Sequence, residues 1–170
     1  MGKLKIGIIG CGAIAREKHV DALLQFPDRC EIVALADAQP AAANSLQRER
    51  LPGAAVYEGY EALLEDPAVD AVHICTPNHS HCEIAVKALE AGKHVMCEKP
   101  MAETYADACR MIKTAEKING NSLSAIKTVS EAIHRRSMPL FSRGIWVKSI
   151  LQKRTPHAGK RCRHGAAFFH

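Results

Sequence analysis

The chain has 170 residues, 47% hydrophobic and 24% charged, a composition of globular domains that argues against disordered and fibrous classes. The length predicts one domain and argues against a two-domain enzyme, and no apolar run reaches the roughly 18 residues of a membrane span. The formal charge of +5 is uneven: residues 1–117 hold thirteen Lys and Arg against seventeen Asp and Glu, a net −4, whereas residues 118–170 hold ten against Glu131 alone, a net +9.

Taken in chain order, Lys3 to Ile9 is apolar and β-branched and then meets a glycine turn, the pattern of a buried strand. Lys3 and Lys5 ahead of this stretch suggest a secretory leader, but Gly7, Gly10 and Gly12 break it and no cleavage region follows, so that reading is rejected. Ala13 to Gln25, apolar at Ile14, Val20, Leu23 and Leu24, predicts a helix that ends before Pro27. Glu31 to Ala36 predicts a second strand, and Ala41 to Arg50 a helix, with Pro40 suited to its first turn. A short strand over Ala54 to Tyr57, a short helix over Tyr60 to Leu64 and a strand over Ala68 to Cys75 follow. Ser80 to Glu90 predicts a helix stopped by Gly92, a good C-cap residue, and His94 to Cys97 another strand. Thr104 to Lys117 predicts a last helix, with Tyr105, Ala108, Ile112 and Ala115 toward the core. Strands separated by such helices imply right-handed parallel crossovers, so the expected fold class is α/β, a Rossmann-type doubly wound parallel sheet over residues 1–117.

The seven cysteines, Cys11, Cys30, Cys75, Cys82, Cys97, Cys109 and Cys162, form an odd set without a C-x-x-C pair. Free thiols in a reducing cytoplasm are the simplest account. Cys11 and Cys75 are expected to pack as small apolar groups rather than to act as nucleophiles.

Gly10-Cys11-Gly12-Ala13-Ile14-Ala15 is a G-x-G-x-x-A pattern between the first strand and the first helix. Gly10 permits the tight turn, Gly12 lets backbone approach a pyrophosphate, and Ala15 lets helix and strand pack closely. N–H groups at a helix N-terminus favour the anion. Asp37, 22 residues past Ala15 at the end of the second strand, is placed to bind adenosine ribose hydroxyls and to repel a 2′-phosphate. NAD is therefore the expected cofactor, with NADP second. The competing explanation is a chance glycine turn.

Two further segments, Cys75-Thr76-Pro77-Asn78-His79-Ser80-His81 and Cys97-Glu98-Lys99-Pro100, stand at the C-terminal ends of expected strands, where open α/β sheets bind ligands. Together with GIIGCGAIA, ALAD and AVHICTPNHSHCEIAVKALEAGKHVMCEKPMA they resemble the Gfo/Idh/MocA family of NAD(P)-dependent oxidoreductases, relatives of glucose–fructose oxidoreductase and inositol dehydrogenase. The resemblance spans residues 3 to 117. It implies that Thr76, Pro77, Asn78 and His81 line the cofactor near its ribose and nicotinamide. It also implies that Glu98, Lys99 and Pro100 form the family's E-K-P motif, with Lys99 close to the reacting carbon and a Lys-Pro peptide that is often cis. An ammonium at that place would stabilise an alkoxide that develops as hydride leaves. The implied substrate is a sugar or cyclitol; oligomerisation stays open. The bland alternatives are a solvated surface lysine at Lys99 and a helix-start side chain at His81. His79 and His81 have the spacing of a metal pair, but no third ligand is evident and no metal is expected.

Family members are about twice as long, and their second domain carries a D-x-x-x-H pattern that supplies the general base. No such pattern follows residue 117, and His134, His157, His164 and His170 do not fit it. Back-translation offers an explanation. Two bases downstream, permitted codons for Ser124 to Ser130 spell GYQNRF, those from Gly144 spell DLGEIYFAKAH, and those for RCRHGAAFF spell VPTWG. These resemble family segments at the matching distances, and the glycine forced by Trp146-Val147 falls where it should. Residues 118–170 are thus expected to be an out-of-frame, basic, poorly packed tail. The His94–Cys97 strand would then be left as an exposed edge.

A competing reading makes the chain a nucleotide-binding module whose +9 tail attracts polyanions without specific nucleic-acid recognition. A zinc knuckle from His157, Cys162 and His164 has the wrong ligand spacing. The coding DNA tests the frame reading: a single-base shift near codon 117 should restore the family sequence, and its absence refutes the idea. Limited proteolysis should likewise trim the chain to near Lys117.

Overall fold

The structure is a computed structural model that describes residues 2–118 in full and the backbone of 119 and 126–128. The expectations for Cys162, for His157 and His164, and for the packing of most of the tail lie outside the described residues.

β1 (Leu4–Ile9), β2 (Cys30–Ala36), β3 (Ala55–Tyr57), β4 (Ala71–Ile74), β5 (His94–Cys97) and β6 (Ile126–Thr128) form one sheet in the order β3-β2-β1-β4-β5-β6. Every adjacent pair is parallel. Parallel neighbours need crossovers, and the helices supply them: α1 (Asp21–Leu24), α2 (Pro40–Arg50), α3 (Tyr60–Glu65), α4 (His81–Glu90) and α5 (Tyr105–Asn119). Proline begins α2, where its missing N–H costs nothing.

Strand alternation divides the core. Leu4, Ile6, Ile8, Leu35 and Met96 point to one face and pack with Val20, Leu23 and Leu46. Ile9, Val72, Ile74, Val95 and Cys97 point to the other and pack with Leu63, Leu89 and Met111. Both faces of the sheet are therefore covered, as the apolar, non-alternating strands require.

Three expectations need correction. The first helix is not α-helical throughout: Ala15–Val20 forms a π-helical turn before α1. That turn buries Ala15, His19 and Val20 together, while Ile14 and Leu24, apolar positions of the expected helix, are 48% and 46% exposed. Tyr105 is 78% exposed; Met111 and Ala115, further along α5, carry its contact with the core. The β5 strand is not an edge, because Val95, Met96 and Cys97 pair with Ile126, Lys127 and Thr128. Pairing of this kind is made by backbone groups, so a short β-branched segment suffices whatever lies beyond it.

The strand order reverses between β1 and β4, whose crossovers leave to opposite sides. The carboxyl ends of the strands at such a reversal are where sheets of this kind form a ligand crevice. Gly10, at the end of β1, has φ +89°, and a Cβ on it would lie 2.7 Å from the carbonyl carbon of Cys75 and 2.8 Å from the Thr76 nitrogen. Gly10→Ala is expected to lower stability by at least about 2 kcal/mol in urea unfolding, from left-handed strain plus a clash with backbone that cannot yield.

His73 sits inside β4, 1% exposed. Burial, reinforced by the neighbouring His19, pushes its pKa well below the usual 6.5. The unfolded chain therefore takes up a proton below pH 6.5 that the folded chain refuses, and stability falls as pH drops through that value. In His73→Leu, the slope of unfolding free energy between pH 6.5 and 5 should flatten by up to about 1.4 kcal/mol per unit.

Candidate dinucleotide-binding site

The glycine turn is held between two strands. The Gly10 N–H donates to the Ala36 carbonyl at 2.8 Å, and the Cys11 N–H donates to Asp37 Oδ2 at 2.6 Å. Asp37 Oδ1 accepts the Gln39 N–H at 2.8 Å. The carboxylate thus fastens the turn to the end of β2, and its remaining lone pairs stay available to hydroxyl donors. The N–H groups of Gly10 and Cys11 are committed within the chain. Those of Gly12, Ala13 and Ile14 precede the first i→i−4 bond, Arg16 N–H to Gly12 at 3.1 Å, and have no intrahelical acceptor. They are the donors best placed for an anion. Gly12 is exposed, and a Cβ on it would meet nothing within 4 Å. The open space beside it is the close approach that a pyrophosphate needs.

The Cys11 thiol faces inward, fully buried, with Sγ 3.6 Å from the Ala36 carbonyl oxygen. Burial, with a smaller push from Asp37, raises its pKa to about 12. Burial also pushes Cys97 to about 12 and Cys75 well above its ordinary range. All three behave as packing groups rather than thiolates. Arg16, which sequence reasoning passed over, ties the turn to α2. Its Nε donates to the Cys11 carbonyl at 3.1 Å, one terminal nitrogen to the Ala42 carbonyl at 3.1 Å, and the other pairs with Glu49 at 2.8 Å.

The second half of the site follows β4. Ser80 Oγ lies 2.8 Å from both Thr76 Oγ1 and the Pro77 carbonyl oxygen, closing the loop that carries Thr76, Pro77 and Asn78. His79 is exposed. His81 is 1% exposed, with Nε2 2.8 Å from the Thr76 carbonyl oxygen and Nδ1 2.9 Å from that of Pro100. Its ring is spent on joining the two loops, so it reaches a ligand only through them. Carbonyl oxygens accept and never donate, so both hydrogen bonds form only when both ring nitrogens carry protons. Lys99 and Pro100 are exposed at the crevice, and the peptide between them is cis.

A buried polar chain lies behind Lys99. Glu98 Oε2 accepts the Lys99 N–H at 2.9 Å, and Glu98 Oε1 lies 2.8 Å from His19 Nε2. His19 Nδ1 lies 2.8 Å from His73 Nδ1, the two rings meeting edge to face at 85°. The His19 hydrogen bond, helped by the Lys99 N–H, holds the Glu98 carboxyl below the usual carboxylate range. Sequence reasoning missed His19 and His73. The available signal was one histidine at a core position of the first helix and one inside the apolar run AVHIC. Among the described residues, no three His, Cys, Asp or Glu side chains gather as metal ligands would, and no helix is long and apolar enough to cross a membrane.

Residues 4–125 match the family described as "Oxidoreductase family, NAD-binding Rossmann fold". Inositol 2-dehydrogenase of Paracoccus denitrificans is 38% identical over 120 residues, covering 71% of this chain and 35% of that protein. The crystal structure of myo-inositol dehydrogenase from Lactobacillus casei in complex with NAD(H) and myo-inositol aligns with a TM-score of 0.69 at 32% identity, over 75% of this chain and 37% of that one. KijD10, a 3-ketoreductase from Actinomadura kijaniata crystallised with NADP and TDP-benzene, aligns with a TM-score of 0.68 at 30% identity, over 85% of this chain and 43% of that one. The chain spans about a third of the length of the inositol dehydrogenases it matches. The family match over most of the chain, with relatives above 30% identity, shows that the chain belongs to the Gfo/Idh/MocA family of NAD-binding Rossmann oxidoreductases.

Proposed function

We propose that this chain is the dinucleotide-binding part of an NAD-dependent dehydrogenase acting on a CH–OH group of a sugar or cyclitol. The observation that carries the reading is the conjunction at the β1–β4 crevice. Gly10 is forced against Cys75 and Thr76, the space beside Gly12 is open, and Asp37 stands at the adjoining strand end. The relatives crystallised with NAD(H) and myo-inositol or with NADP and TDP-benzene support the cofactor and substrate classes. Free thiols among the described residues suit a reducing compartment such as the cytoplasm.

The nicotinamide, when bound, supplies hydride exchange with the substrate carbon. The protein's own groups do the rest. The N–H groups of Gly12, Ala13 and Ile14 hold the diphosphate, and Asp37 holds the adenosine ribose. The Thr76–Asn78 loop and the Glu98–Pro100 loop, joined by His81, form the wall at the reacting end. Lys99 places an ammonium where a substrate oxygen gains charge. No D-x-x-x-H pattern after residue 117 supplies a base, so binding rather than turnover is the activity proposed for these 170 residues. We assign residues 118–170 to an out-of-frame tail on the sequence grounds given above.

Fluorescence titration tests the proposal. NADH should bind at least about tenfold tighter than NADPH, because Asp37 repels a 2′-phosphate. Asp37→Ser should narrow that ratio, and should also weaken NADH because one serine hydroxyl replaces the two carboxylate oxygens that accept the Cys11 and Gln39 N–H groups. Gly12→Val should weaken NADH about tenfold or more while leaving the melting temperature unchanged, since its side chain fills only ligand space. Duplex DNA at moderate salt separates the competing reading. Tight DNA binding without NADH binding would make the chain a polyanion binder instead.

A further inference from the structure

His19 is fully buried on the first helix, yet both of its ring nitrogens have polar partners. Any buried histidine needs such partners, so what distinguishes His19 is where they lead. Its Nε2 side leads to Glu98, and Glu98 leads directly to the backbone of Lys99. Its Nδ1 side is backed by His73, which is anchored in the centre of the sheet. We propose that His19 is a positioning residue for Lys99: it orients the Glu98 carboxylate, which in turn fixes the Lys99 N–H and so the direction in which that side chain leaves the loop.

The proton arrangement is consistent along the chain. Glu98 is held ionised and only accepts, so His19 Nε2 donates to it. His73 is held neutral by burial, so one proton is shared between the two facing Nδ1 atoms. Every hydrogen bond then has one donor and one acceptor. Glu98 is also fixed by its own N–H, which donates to the Ile74 carbonyl at 3.0 Å. On the far side, Pro100 is tied through its carbonyl to His81 at 2.9 Å. The lysine thus leaves from a backbone gripped on both flanks while its own side chain is exposed. The π-helical turn places His19 for this task. It buries His19 beside Ala15 and Val20, and such turns are frequent at functional sites.

The proposal rests on the dinucleotide reading only for the task given to Lys99, so the experiment has two readouts. Amide hydrogen exchange by NMR on the whole chain judges the support, and NADH titration judges the task. In the wild-type chain the Lys99 amide should exchange at least about tenfold slower than exposed loop amides. In His19→Leu that protection should disappear while the amides of Ile8 and Val72 stay protected. His19→Gln, whose side-chain N–H can still donate to Glu98, should restore it. NADH affinity should fall about tenfold in His19→Leu and recover in His19→Gln. An unchanged Lys99 amide in folded His19→Leu would overturn the proposal. If His19→Leu does not fold, His19→Phe, which keeps a buried ring but cannot donate to Glu98, decides: retained protection at Lys99 overturns the proposal, and lost protection supports it. A wild-type chain that fails to bind NADH refutes the dinucleotide reading, while the exchange result still judges His19.

Discussion

The constraint on which the structure depends is the close approach of two backbones at the β1–β4 crevice. Gly10 lies so near the Cys75 and Thr76 backbone that any side chain would overlap it. The positive φ there turns the chain sharply from β1 into the first helix, and aims the helix N-terminus across the carboxyl end of the sheet. Everything a dinucleotide requires is then brought within reach: N–H groups without intrahelical acceptors, an acid at the end of β2, and the two loops after β4 and β5. The hydrogen bonds from Gly10 to Ala36 and from Cys11 to Asp37 hold the turn in this pose before any ligand arrives. Preorganisation of that kind reduces the ordering that binding must otherwise impose.

Asp37 fixes the turn through two backbone N–H groups, and the proposed function gives its remaining lone pairs to ribose hydroxyls. A group with both roles could not be replaced without disturbing both. The same economy appears at the other end of the site. Glu98 fixes the Lys99 amide and receives His19, and His81 closes the gap between the Thr76 and Pro100 carbonyls. Polar side chains inside an apolar core are costly unless every partner is present. Here His81 directs both of its hydrogen bonds, and His19 one of its two, to the loops after β4 and β5.

Much of this was legible from residue order alone. Parallel β-α-β alternation followed from apolar strands separated by helix-length segments, and the glycine turn and Asp37 from their spacing. Gly10 and Gly12 look alike in a motif, but only three-dimensional packing separates them: one is forced by neighbouring backbone, the other by space reserved for a ligand. Periodicity placed Tyr105 in the core, yet α5 makes its contact further along, through Met111 and Ala115. The π-helical turn also went unseen, because one extra residue per turn leaves no mark in composition. The edge expected at β5 was wrong for a related reason: strand pairing uses backbone, which every sequence carries.

Residue order alone establishes the α/β class, the position of the glycine turn, the acid at the end of β2 and the loops that bear Thr76–His81 and Glu98–Pro100. These are local properties, set by alternation, small residues and turn chemistry within a few positions. The meeting of His19 with Glu98 across 79 residues and with His73 across 54, and the joining of two loops by His81, arise only in three dimensions. Such pairings depend on which helix crosses which strand and at what angle, and a linear pattern carries no record of that distance.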